Sequence, residues 1–211
     1  MTSSSQQADI DRNVRIHDRI AAQYEKTHDE IFNPVEQARL RATLEQAKGA
    51  LRTSGERPRA LDFGCAVGRL TQALADHFAE VVGVDIASAM VERAREYNSH
   101  GDRVVYLANA APDLALFDDA SFDFVYTNKV LQHIPPEHQL HYMREFVRVL
   151  RPGGAAIFQT RNGPVVRPGT IRAPGQPCAG PVDHLGTTAL SSQRPGGDAF
   201  HAGRGVRPWG R

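Results

Sequence analysis

Cysteine is scarce in this chain: Cys65 and Cys178 are the only two among 211 residues. They form no paired spacing, which excludes a zinc-ribbon site and a disulfide framework. The expectation that follows is a cytoplasmic protein with reduced thiols. Long apolar runs are missing too, and none approaches the ~20 residues that span a bilayer. The amino-terminal stretch MTSSSQQADIDRN lacks the apolar core of a signal peptide. Excess charge of one sign is absent as well. Lys and Arg number 25 against 24 Asp and Glu, a formal net charge of +1, so no electrostatic case exists for nucleic acid or an anionic membrane surface. His28, His133, His138 and His141 have no carboxylates at ligand spacing, so no metal is expected. What remains, 41% apolar and 23% charged residues, is the composition of a globular chain long enough for one domain and a sizeable core.

Composition divides the chain. Up to about residue 162, strand-like and helix-like segments alternate. Beyond it, RNGPVVRPGTIRAPGQPCAGP and its continuation are dense in Gly, Pro and Arg, with no sustained period of 2 or 3.6. Such a segment buries too little apolar surface to offset its ordering entropy, and residues 163–211 read as a disordered tail. Its abrupt onset also suits a frame-shifted or artificially ended reading frame from a GC-rich gene. The first 58 residues read as a helical cap. It holds a helix around Val14 to Glu30 and a second one with Asn33 as N-cap and Pro34 at its first position. Residues 59–162 read as the core. Its strands are Arg59–Phe63, Glu80–Val84, Val104–Leu107, Phe122–Tyr126 and Ala155–Gln159. Ser88 is expected to cap one intervening helix, and Leu140, Met143, Val147 and Leu150 to form the buried face of another. This alternation predicts an α/β fold: a doubly wound, Rossmann-like sheet, mostly parallel, in three α/β/α layers. Ligands of such sheets sit beyond the carboxyl ends of the strands.

One such end reads ALDFGCAVGRL, residues 60–70. Gly64 and Gly68 bare the backbone there. Gly68-Arg69-Leu70 fails the Gly-Lys-Ser/Thr requirement of a phosphate loop, and the glycines stand four apart rather than in the G-x-G-x-x-G pattern of dinucleotide folds. S-adenosylmethionine is a third possibility. It carries an ammonium, a carboxylate and a sulfonium but no phosphate, and Asp62 supplies an acid at the head of the loop. A tight turn with no ligand is a further reading of the same residues. Asp85 then ends the second strand, 17 residues after Gly68, where a carboxylate can accept both hydroxyls of a ribose. It is also suitably placed to favour the following helix dipole.

Four stretches together resemble the class I S-adenosylmethionine-dependent methyltransferases, in particular the small-molecule subgroup termed type 11. They are LDFGCAVGRLT, VVGVDIASAMVERARE, LFDDASFDFVYTNKVLQHI and VLRPGGAAIF. The resemblance covers about residues 59–160. It implies S-adenosylmethionine as cofactor, with Asp62, Gly64, Cys65 and Gly68 around its methionine end and Asp85 and Ile86 around ribose and adenine. Asn109, Ala110 and Ala111 would line the adenine edge, with Asn128 facing the methionine or the acceptor. Tyr24 resembles an aromatic that folds over the cofactor, and is equally a core tyrosine. Ala66 departs from a common glycine, and Ala110 from a common acid. Nothing after Thr160 resembles the last two strands of the family's sheet, so its edge is expected open at the fifth.

The activity this implies is in-line methyl transfer to a small-molecule acceptor, with His133 as candidate catalytic base. No nucleic-acid partner and no membrane are expected. Two alternatives stay open: a cofactor-binding pseudoenzyme or truncated fragment without turnover, and an NAD-dependent oxidoreductase, against which the glycine spacing and Asp62 argue.

Overall fold

The computed structural model describes residues 4–24, 33–52, 57–161 and 185–191. Helix α1 is Ser4–Ile20, closed by a single 3-10 turn at Ala21–Gln23, and α2 is Pro34–Ala50. There follow β1 (Arg59–Phe63), α3 (Arg69–Ala75), β2 (Glu80–Asp85), α4 (Ser88–Glu96), β3 (Val104–Ala108) and β4 (Phe122–Thr127). Helix α5 (Pro136–Val149), β5 (Leu150–Arg161) and β6 (Leu185–Ser191) complete the set. The sheet order is β3-β2-β1-β4-β5-β6, parallel through β5 and antiparallel at β6.

Central strands β1 and β4 are covered on both faces, which is why ALDF and FDFVYT read as nearly unbroken apolar runs rather than alternating ones. One face carries Leu40, Leu44, Leu74, Phe78, Tyr106 and Phe124, from α2, α3, the turn after α3 and the strands. The other carries Leu61, Phe63, Phe122, Phe146 and Phe158, with α5 packed on it. Phe122 and Phe124 belong to opposite cores although they are two apart. The β4–β5 register shifts between them, so that Phe122 pairs with Leu150 and Phe124 with Ala155. Gly153 sits in that irregularity at φ +84°, where a Cβ would meet the Arg52 carbonyl oxygen at 2.8 Å.

The doubly wound, mostly parallel fold follows the sequence expectation. Asn33 caps α2 as expected, its Oδ1 accepting from the Val35 N–H at 2.8 Å, with Pro34 in the first turn. Four local details differ. Helix α1 begins ten residues before the expected Val14 and ends at Ile20; residues 25–30 of the expected helix lie outside the described ones. Ser88 does not cap α4. Ala87 holds that position, and the Ala89 N–H is met by Asp18 Oδ1 of α1 at 3.1 Å. The buried face of α5 is Tyr142, Phe146 and Val149, while Leu140 and Val147 are exposed. Aromatic bulk at 142 and 146 outweighs the aliphatic stripe in filling the space over Phe63, with ring centroids 5.0 and 5.2 Å away. Finally, β6 falls inside the segment read as a tail and covers the edge of β5 expected to be open, in register from Ala155↔Ser191 to Arg161↔Leu185. LGTTALS stands alone in a stretch without sustained period to announce a strand; the unpaired backbone of β5 is what it satisfies. Residues 162–184 and 192–211 lie outside the described ones.

Candidate functional site

The carboxyl ends of β1 and β2 lie side by side, with Asp62 opposite Gly83 and Phe63 opposite Val84. The loop leaving β1 therefore starts against the end of β2. Gly64 and Cys65 both donate their N–H groups to the Val84 carbonyl, at 2.7 and 3.0 Å. Ala66, at φ +45°, donates to Asp85 Oδ2 at 2.8 Å, and Gly68 donates to the Cys65 carbonyl at 2.9 Å. The glycines are required sterically. Gly64 and Gly68 lie at φ +80° and +81°; a Cβ on the first would run into Val130, and on the second into the Tyr106 hydroxyl. Four of the loop's N–H groups are thus consumed within the protein.

That accounting decides between ligand classes. A pyrophosphate needs free N–H groups along the glycine loop, and here those of residues 64, 65, 66 and 68 are committed to protein oxygens. What the site offers is acceptors. Asp85 is 7% exposed; its Oδ1 takes the Ala87 N–H at 2.9 Å and its Oδ2 the Ala66 N–H, leaving lone pairs on each oxygen and no cation bonded to it. Burial pushes its acid strength down, raising the pKa above the ordinary carboxylate value against the opposing pull of these N–H groups. At the end of β4 the buried oxygens Thr127 Oγ1 and Asn128 Oδ1 have no partner among the described residues. Acceptors without donors suit a ligand with a diol and an ammonium, and S-adenosylmethionine has both.

The other expected residues separate into those at the cleft and those beneath it. Ile86 is half-buried and packs with Ala66 and Tyr24 against Ala21, Val67, Ala87 and Met90. Tyr24 and the end of α1 thus lie against the loop. Asp62 is beneath it, 1% exposed, accepting the Thr71 hydroxyl at 2.7 Å. Desolvation raises its pKa to about 7. Cys65 is buried beside it, its thiol pushed well up by burial and by the two neighbouring aspartates. Tyr106 closes this pocket, its hydroxyl donating to the Gly68 carbonyl at 3.2 Å. Asn109 uses both ends of its side chain in its own turn, Nδ2 donating to the Asp113 carbonyl at 2.8 Å and Oδ1 accepting from Ala111 N–H at 3.0 Å. Its main-chain N–H binds the Asp85 carbonyl at 2.8 Å, and Ala110 beside it is exposed. His133 is exposed in a single 3-10 turn, Leu131–His133, with its Nε2 3.1 Å from Gln132 Nε2.

Sequence reasoning missed Thr71, Tyr106 and Asp18. The first two are ordinary apolar-face residues of α3 and β3 by pattern. The third lies in a helix whose docking no local signal reveals.

A family described as a methyltransferase domain matches residues 61–158, from β1 through β5. Residues 61–158 are thus a methyltransferase domain of the class I S-adenosylmethionine-dependent kind. S-adenosylmethionine is the cofactor of this family. A ubiquinone biosynthesis O-methyltransferase of Maricaulis maris is 33% identical over 136 residues, 62% of this chain and 52% of that protein. A biotin biosynthesis bifunctional protein of Cellvibrio japonicus is 36% identical over 135 residues, 62% of this chain and 25% of its own length. The chain therefore spans about half, or less, of these curated relatives. Among solved structures, the PH0226 protein of Pyrococcus horikoshii superposes with a TM-score of 0.52 at 31% identity, covering 65% of each chain. A Haemonchus contortus phosphoethanolamine N-methyltransferase complexed with S-adenosylhomocysteine shares the fold at 19% identity, TM-score 0.56, over 75% of this chain and 33% of that one. Among the described residues no group of three metal-ligating side chains occurs, and no helix is long and apolar enough to cross a membrane.

Proposed function

We propose that this methyltransferase binds S-adenosylmethionine across the tips of β1, β2 and β4 and transfers its methyl group to an oxygen of a small-molecule acceptor in the cytoplasm. One observation carries the binding mode: the glycine loop spends its N–H groups inside the protein, while the buried Asp85 carboxylate keeps free lone pairs at the cleft. When bound, the cofactor supplies an electrophilic methyl on a sulfonium. The chain's own residues then bind and orient. Asp85 accepts the ribose hydroxyls, and Ile86 with Ala110 and the main chain at Asn109 borders the adenine. Gly64 and Gly68 let the methionine end approach the backbone, and Asn128 Oδ1 accepts a hydrogen bond from the ammonium. Asp62 and Cys65 support the loop from below. The end of α1, through Ile20, Ala21 and Tyr24, acts as the inner part of a cap over residues 59–162. His133 stands at the acceptor side as a group able to hold the acceptor's proton. The near-neutral charge and the O-methyltransferase name of the first relative support a small oxygen acceptor; the scarcity of cysteine supports a cytoplasmic setting.

Isothermal calorimetry on the purified chain tests the reading. S-adenosylmethionine and S-adenosylhomocysteine should both bind and NAD should not. NAD binding alone would replace the reading with an oxidoreductase; cofactor binding with no transfer to any hydroxylated acceptor would make the chain a pseudoenzyme.

A further inference from the structure

Helix α5 carries a charged pair whose hydrogen bonds leave the helix for the segment between β3 and β4. Glu145 and Arg148 meet in a two-point fork, Arg148 Nε donating to Glu145 Oε1 at 2.9 Å and Nη2 to Oε2 at 2.8 Å. Their side chains are 13% and 28% exposed, so water competes less with this pair than with a surface one. The segment they reach, residues 109–121, contains turns but no helix or strand. Leu114 is held there at both of its main-chain polar groups: its N–H donates to Glu145 Oε2 at 2.9 Å, and its carbonyl accepts from Arg148 Nη2 at 2.9 Å. Arg148 Nη1 donates to the Phe117 carbonyl at 2.9 Å and to Asp119 Oδ1 at 2.8 Å.

The same segment opens at the cofactor cleft. Its first residue, Asn109, is tied to β2 through the Asp85 carbonyl and to the residue before Leu114 through the Asp113 carbonyl, each at 2.8 Å. No side chain at this opening is left to read a base. Both ends of the Asn109 amide are spent within the turn, and Ala110 and Ala111 carry no polar group. Selection of a base there falls to main-chain N–H and C=O groups around Ala110, and such groups discriminate only where the backbone is held in place. The α5 pair is what holds it.

We propose that Glu145 and Arg148 are positioning residues for the cofactor's base: they fix the turn after β3 so that its main chain selects adenine over a base with the opposite donor and acceptor edge. This rests on the cofactor placement above. Adenine presents an amine donor beside the N1 lone pair, whereas hypoxanthine presents a carbonyl oxygen beside an N1–H. A main chain set for the first edge meets donor with donor and acceptor with acceptor on the second. Both side chains act through Leu114 and Asp113, so their effect belongs to the edge of the base and not to the ribose or the methionine end.

The test compares S-adenosylhomocysteine with S-inosylhomocysteine by calorimetry on the full chain. Wild type should bind the adenine ligand at least about tenfold more tightly, the worth of one well-placed hydrogen bond. Arg148→Met keeps the length of the side chain and loses every donor. It should cut that preference at least about fivefold, by weakening the adenine ligand while the inosine ligand stays within about twofold of its wild-type affinity. Arg148→Lys keeps the charge without the fork and should fall between the two. Glu145→Gln retains an acceptor for the Leu114 N–H; it should shift the ratio the same way by a smaller factor, and it carries the test should Arg148→Met fail to fold. A pair with a merely structural role would lower the melting temperature and leave the ratio between the ligands unchanged. That result in a folded variant, or no base preference in wild type that binds S-adenosylhomocysteine, would overturn the proposal. Failure of S-adenosylhomocysteine to bind wild type would instead remove the placement on which it rests.

Discussion

Buried carboxylates occur at both ends of this sheet, and they are treated in opposite ways. At the amino end of β4, Asp123 is wholly buried; its Oδ2 accepts from Arg151 Nη1 and from the Arg59 N–H, each at 2.7 Å. At the carboxyl ends of β1 and β2, Asp62 and Asp85 are as deeply placed, yet their bonded partners are a hydroxyl and two N–H groups, with no bonded cation among the described residues. A buried charge is costly unless compensated. The compensated acid holds β1, β4 and β5 together, whereas the uncompensated pair stores unfavourable electrostatics where a cationic ligand can relieve them. Perturbed acids of this kind concentrate at functional sites.

The contrast can be broken experimentally at each acid. The largest effect is expected at Asp62. Its folded-state pKa of about 7 lies above the ordinary 3.8, so the protonated form favours the fold. That contribution is whole below 3.8 and is lost as pH rises through about 7. Asp62→Asn keeps an acceptor for Thr71 and never ionises. Its stability relative to wild type, from urea unfolding, should climb by on the order of 4 kcal/mol between acid and mildly alkaline pH. A pH-independent difference would mean that Asp62 is not held in this way.

Next comes Asp123→Ala, which leaves the Arg59 N–H without its acceptor and removes the carboxylate that pairs with Arg151, and should cost about 2–3 kcal/mol in the same assay at neutral pH. A loss below that of an ordinary surface substitution would erase the distinction between the two ends.

The smallest effect is on binding. Asp85→Ala should weaken S-adenosylmethionine by about 1–3 kcal/mol in calorimetry, the cost of unpaired ribose hydroxyls. Unchanged affinity would take Asp85 out of the site.

Much of this was legible beforehand. Strand β1 has the bounds read from ALDF and its flanks, and β2 gains only Asp85, because both are short apolar runs ended by Gly or by an acid. The capped start of α2 is equally local: Asn33 and Pro34 act within two residues of themselves. Three of the four misreadings were cases in which a partner distant in sequence decided the outcome. Ser88 lost its capping role to Asp18, 70 positions earlier. Leu140 and Val147 gave up the core to Tyr142 and Phe146 because Phe63 stands opposite those rings. Strand β6 exists through its pairing with β5, not through a hydrophobic pattern.

By itself the sequence determined the alternation of strands and helices, and the interval from the glycine loop to Asp85 that places both at neighbouring strand tips. Hydrophobic period and glycine conformation act over a few residues, and composition already encodes them. Only the tertiary structure decided which N–H groups of the loop remain free, which acids are neutralised, and that a helix from the first twenty residues brings Asp18 to the first turn of α4. Those outcomes depend on hydrogen bonds and packing between segments far apart in the chain, and no local pattern specifies them.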